Sequence, residues 1–188
     1  MILGYAIDMP NMDCEMLEDL ELEECAKYSN IYDLNIIDPD IKMLGKKYNI
    51  SSTYDGFEIV SEKFMAFCEK EGYGGLEFIA LPNAPGFFWF KINNIVEYDT
   101  KARETSFLNY SSTCKGYEEI IGADPVCLKD KALLGDVFFR TDVCFGSFAG
   151  KSPVSLVGEA TKKKLLAAGF KEIYFEEILD KYEWQKGN

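Results

Sequence analysis

Residues Phe57–Leu81 and Val154–Ile178 align without a gap at an offset of 97 residues. Val60, Glu62, Gly72 and Phe78 recur as Val157, Glu159, Gly169 and Phe175, and apolar character is kept at Ile59/Leu156, Tyr73/Phe170, Leu76/Ile173 and Leu81/Ile178. The matches fall in order on a strand core, a helix start, a helix stop and a second strand, the signature of a repeated supersecondary unit. Coincidence is the rival explanation, since only four positions are identical. In the first copy Phe57–Val60 reads as a strand and Ser61 as the cap of a helix over Glu62–Glu71. Gly72 suits the helix stop, because glycine takes positive φ without steric cost, and Leu76–Leu81 forms a second strand. The second copy predicts a strand over Val154–Val157, a helix over Glu159–Ala168, a stop at Gly169 and a strand over Ile173–Ile178. If the two strands of a copy paired in parallel, the crossover between them would be right-handed. The copies differ most on their helices, where Phe64–Phe67 faces Thr161–Lys164, so one helix is expected to be drier than the other.

Around the repeat the chain alternates strand and helix signals. Ile2–Asp8 reads as a strand ended by Pro10 and Asn11. Asp13–Glu24 holds seven acids and no base, with Met16, Leu17, Leu20, Cys25 and Tyr28 near helical spacing, which predicts an acidic amphipathic helix. A strand is expected near Tyr32–Ile37 and a short helix around Asp40–Lys47. Phe87–Ile92 and Ile95–Thr100 flank Asn93-Asn94, and asparagine tolerates the positive φ of a type I′ turn, so a central hairpin is expected. Tyr117–Ile121 and Val137–Thr141 add strands, and Leu179–Trp184 a final short helix. The sum is an α+β fold: a mixed β-sheet with a central hairpin and two strand–helix–strand units that a pseudo-two-fold could relate. The 188 residues suit one domain, made of an N-terminal segment (1–53), the first unit (54–82), a β-rich middle (83–150) and the second unit with the tail (151–188).

With 47% hydrophobic residues the chain can offset its conformational entropy and should be globular. Its 32 acids against 20 bases give a net charge of -12, which repels phosphate backbones and anionic lipid surfaces. Nucleic acid and membrane are therefore disfavoured as partners, and a basic protein surface is favoured. No stretch approaches the ~20 apolar residues of a membrane span. The start Met-Ile-Leu-Gly-Tyr-Ala-Ile-Asp has no basic region and too short an apolar run for a signal peptide, which points to the cytoplasm and to six reduced cysteines.

Histidine is absent, so Cys–His and Ser–His nucleophilic pairs, zincin-type metal sites and histidine acid–base catalysis are excluded. Carboxylate, lysine, tyrosine or unaided cysteine chemistry remains. Gly146-Ser-Phe-Ala-Gly150-Lys151-Ser152 approaches a phosphate loop, but only three residues separate its glycines where four are needed, and Pro153 spoils the helix start. A loop leading into the second repeat is the plainer reading. Gly72-Tyr73-Gly74-Gly75 follows a helix rather than a strand, the wrong order for cradling a dinucleotide. Arg140 and Asp142 stand two apart on a strand and could pair on one face, as a structural ion pair or as part of a binding site. The acids Asp13, Glu15, Glu18 and Asp19 form either a solvated face or a surface for a basic partner. Trp89, with Phe88 and Tyr98, would anchor a partner if the hairpin face is open; core packing is the alternative, at about 1.5–3 kcal/mol per buried large side chain. No cofactor or metal ligand set is apparent in the spacing of the cysteines.

Ile59-Val60-Ser61-Glu62-Lys63-Phe64, Phe139-Arg140-Thr141-Asp142 with Phe145-Gly146-Ser147, and Lys151-Ser152-Pro153 through Val157-Gly158 resemble the immunity proteins of bacterial polymorphic toxin systems and related bacterial domains. The resemblance covers about residues 55–180. It implies a non-enzymatic protein, encoded beside a toxin, that neutralises it by binding, and it carries over no catalytic residues. Family members hold a Cys-x-x-Cys ahead of the Gly-Tyr pair, and here Ser111 takes the place of the first cysteine before Cys114. Two other readings stand beside this one: a small enzyme using Glu62, Glu159, Arg140 and Asp142 through carboxylate, Lys or Tyr chemistry, and a homo-oligomeric structural protein.

Overall fold

The computed structural model describes residues 1–38, 40–41, 43 and 46–182. In chain order it holds β1 (Ile2–Asp8), α1 (Ile31–Leu34), β2 (Ile50–Ser52), β3 (Glu58–Ser61), α2 (Glu62–Glu71), β4 (Leu76–Ala80) and β5 (Phe87–Ile92). There follow β6 (Ile95–Val96), α3 (Thr100–Arg103), β7 (Ser106–Ser111), β8 (Gly116–Ile121), β9 (Phe138–Ser147), β10 (Ser152–Val157), α4 (Glu159–Ala167) and β11 (Tyr174–Leu179). Single 3₁₀ turns occupy Glu24–Tyr28 and Phe148–Gly150. The class is α+β, with two sheets. A seven-stranded sheet runs β11-β1-β10-β9-β8-β7 with β6 added to β9, and a four-stranded sheet runs β2-β3-β5-β4. Among the described residues all pairings between these strands are antiparallel except the β6–β9 contact.

Local chemistry explains the best-read elements. Ser61 Oγ accepts from the Phe64 amide at 3.3 Å, and Gly72 closes α2 at φ 72°. Gly169, at φ 86°, follows α4 in the same way. Within each strand–helix–strand segment the strands are not neighbours. β5 lies between β3 and β4, and β1 lies between β10 and β11, antiparallel to both in each case.

The two helices are equally dry. α2 buries Phe64 and Cys68, and α4 buries Thr161 and Leu165, each pair one turn apart on a single face. Thr161 tolerates burial because its hydroxyl donates to Asp136 at 3.0 Å. Both helices enter one core with Tyr5, Phe90, Phe138 and Phe170, where the Phe64 ring stands edge-on to Phe90, Phe138 and Phe170 at 5.1–5.9 Å.

Several expected elements differ. Asn93-Asn94 is not a hairpin turn: β5 belongs to the four-stranded sheet, β6 joins β9 in the other, and neither asparagine has positive φ. Asn94 instead ties the crossing, its Nδ2 donating to the carbonyls of Gly74 and Phe138, both at 2.9 Å. Tyr32–Ile37 is not a strand, because Asn30 Oδ1 accepts from the Tyr32 and Asp33 amides and starts α1. The helix expected around Asp40–Lys47 falls partly on Lys42, Leu44 and Gly45, outside the described residues, and the described positions there are not helical. At the C-terminal end Leu179 closes β11, and Glu183 and Trp184 lie outside the described residues.

Candidate partner-binding face

The acidic segment Asp13–Glu24 is not a helix but a strap of bends and turns, with its first helical turn only at Glu24–Tyr28. Like charges at Glu15/Asp19 and Asp19/Glu23, four residues apart, disfavour a helix. Asp55 supplies the competing geometry: its Oδ2 accepts from the amides of Met16 and Leu17, each at 2.8 Å, while Oδ1 accepts from Thr53 Oγ1 at 2.5 Å. Met12, Met16 and Leu17 sink into the core beneath the four-stranded sheet, and Tyr54 donates its hydroxyl to Asp13 at 2.9 Å. With the backbone pinned and the apolar side chains inward, all seven acids of the strap face solvent. Glu15 and Glu18 line a groove of about 430 Å³ with Tyr54 and the loop Gly146–Gly150. In that loop Phe148 holds φ 54° and is 58% exposed, an uncommon conformation and position for a bulky aromatic.

Beside the strap projects the β7–β8 hairpin. Every residue of β7 but Ser111 is exposed, including Phe107, Leu108 and Tyr110. The ring of Tyr117 on β8 packs at 5.1 Å from Phe107 and 5.0 Å from Tyr110. The hairpin turn is joined to the end of the strap by a disulfide between Cys25 and Cys114, which corrects the expectation of six reduced cysteines. That expectation came from the presumed compartment; the fold brings the two Cα atoms to 5.3 Å, within disulfide reach. Gly116 permits the approach, since a Cβ there would stand 2.4 Å from the Tyr28 carbonyl oxygen. Ser111 Oγ accepts from the Cys114 amide at 3.2 Å and so shapes the turn.

Lys151 locks the same junction from below. It is 2% exposed, and its ammonium donates to the carbonyls of Lys27, Glu118 and Phe148. Burial pulls its pKa down to about 8, although three carbonyl acceptors favour the charged form. The lysine of the phosphate-loop-like motif is thus committed to main-chain oxygens, and a strand rather than a helix follows it.

The expected site residues separate into two groups. Asp13, Glu15, Glu18 and Asp19 are exposed on the strap. Trp89 is fully buried against Phe57 and Tyr32 and offers no surface to a partner. Arg140 and Asp142 do not pair: Arg140 donates to the carbonyls of Ile92 and Thr141 and stacks on Tyr32 at 4.5 Å, and exposed Asp142 accepts from the Tyr98 amide at 2.7 Å. No hydrogen bond or ion pair among the described residues joins any two of Glu62, Glu159, Arg140 and Asp142. Glu159 binds Lys163 at 3.1 Å and the Tyr5 hydroxyl, beside a groove of about 720 Å³. Those contacts hold the Glu159 carboxyl below its usual range and raise Tyr5 to about 12, both away from neutral working pH.

Phe148 and the Phe107–Tyr117–Tyr110 ridge were not singled out from sequence, where exposed and buried aromatics look alike. Nor was Glu58, whose Oε1 accepts from Ser155 Oγ at 2.5 Å while Oε2 is sealed from solvent without a partner. Burial pushes this carboxyl up to about 7. No helix among the described residues is long and apolar enough to cross a membrane. Comparison with family models, curated proteins and solved structures found no match.

Proposed function

We propose that this chain is a non-enzymatic binding protein of the immunity type, which neutralises a cognate bacterial toxin by seating a basic surface of it on the acidic strap. The observation that carries the reading is the strap itself: seven solvent-facing acids on a backbone fixed by Asp55 and by buried Met16 and Leu17. A fixed array of like charge steers an oppositely charged partner and speeds encounter more than it deepens affinity. The net charge of -12 adds a long-range field of the same sign.

The scaffold beneath is read as a duplicated unit about a pseudo-two-fold. β3–α2–β4 and β10–α4–β11 each receive one antiparallel strand between their own two. Glu58 and Ser155, which share a hydrogen bond, stand 97 residues apart, the offset of the repeat, as two equivalent positions astride a dyad would. Phe67 meets Phe170 at 5.2 Å, and the equivalent pair Lys164 and Tyr73 meets at 5.5 Å. Strap and hairpin lie outside both copies, so the partner face is an asymmetric addition.

Co-expression with the toxin-like protein encoded beside this chain tests the function. Restored growth and a stable complex are expected; absence of both would sink the reading. Replacing Asp13, Glu15, Glu18 and Asp19 by their amides should slow association about tenfold or more at low salt and flatten its salt dependence.

A further inference from the structure

Resting on the binding function proposed above, we infer that the β7–β8 hairpin is the apolar anchor of the interface, and that its rings receive arginine or lysine side chains of a basic protein surface. Phe107 and Tyr110 are 38% and 58% exposed and share the Tyr117 ring as a common backing. Three residues apart on a regular strand, they would point to opposite faces. Asn109, at φ 55°, breaks the alternation and lets both rings meet Tyr117.

What fits such a ridge follows from its neighbours. The Cys25–Cys114 bond and the Gly116–Tyr28 approach hold its turn against the end of the strap, where Glu21, Glu23 and Glu24 are exposed and outnumber the exposed Lys27 and Lys115, the first of which already pairs with Glu118. Aromatic faces beside carboxylates attract cations twice, through the ring quadrupole and through charge. Tyrosine is also enriched among the side chains that carry most of the binding energy at protein interfaces. A basic protein surface satisfies both features, whereas a purely apolar one would leave the carboxylates without counter-charge.

The test compares wild type with Phe107→Ser/Tyr110→Ser in calorimetric titration against the isolated domain of the adjacent toxin-like protein. Thermal midpoints and near-ultraviolet circular dichroism check that the variant stays folded. At least about tenfold weaker binding is expected for the double variant, and unchanged affinity would overturn the anchor while leaving the binding function standing. No binding by wild type would overturn both. Tyr110→Lys retains bulk but repels a basic partner, so it should bind more weakly than Tyr110→Ser; the reverse order would contradict a cationic occupant. Sedimentation of the free chain adds a check: a dimer that the double variant converts to monomer would assign the ridge to self-association and overturn the inference.

Discussion

Glu58 and Ser155 couple the two sheets through a single hydrogen bond, and the second carboxyl oxygen of Glu58 has neither solvent nor partner. The residue as a whole is partly exposed, yet its carboxyl is sealed, which is why its pKa rises from 4.5 to about 7. Between those values the folded chain keeps a proton that the unfolded chain has released, so this group's stabilisation is full below pH 4.5 and is lost as pH rises through 7. The loss should amount to about 3 kcal/mol. Chemical denaturation of wild type and Glu58→Gln between pH 4 and 8 measures it, with a flatter curve expected for the variant; parallel curves would show that Glu58 does not titrate as described. At this scale the sequence was legible where the cause is local. Ser61 and Gly72 announce a cap and a stop through their own chemistry, whereas the burial of Trp89 and the carbonyl contacts of Arg140 depend on which strands meet, and spacing along one strand carries no such information.

The acidic strap and the Asn93-Asn94 crossing show the same limit for whole elements. Apolar spacing suggested a helix over Asp13–Glu24, but Asp55, about 40 residues away in sequence, caps the Met16 and Leu17 amides and wins. A paired asparagine turn would make a hairpin if its flanking strands paired with each other. Here tertiary partners separate them, and Asn94 bonds to two carbonyls from distant segments. Asn94→Ala should therefore cost about 1–3 kcal/mol in urea denaturation, since two carbonyls lose their donor. The clamp between strap and hairpin is open to a direct count. Chain purified without reductant and alkylated after denaturation should take up four labels, for Cys14, Cys68, Cys127 and Cys144; six would contradict the Cys25–Cys114 bond. Breaking this bond, which spans 89 residues, should cost up to about 4–5 kcal/mol on the chain-entropy account, read as a lower thermal midpoint for Cys25→Ser/Cys114→Ser. In a reducing cytosol the junction would rest on Gly116 packing, Lys151 and the Lys27–Glu118 ion pair at 3.8 Å.

Over the whole molecule, the packed core and the surface proposed for recognition occupy different regions. The two strand–helix–strand segments supply a shared aromatic core, and the residues common to both lie in that core, at the helix start and at the helix stop. The strap, the Phe148 loop and the β7–β8 hairpin carry the exposed carboxylates and rings. The 97-residue match in sequence thus made the scaffold readable and left the surface unread, because it is silent about segments that have no matching stretch. Amide hydrogen exchange of the chain, alone and with the toxin domain proposed as its partner, tests this division most directly. The account predicts slowed exchange over residues 13–24 and 106–121 on complex formation. Protection confined to the groove beside Glu159, lined by residues 2–5 and 133–136, or no protection at all, would contradict it.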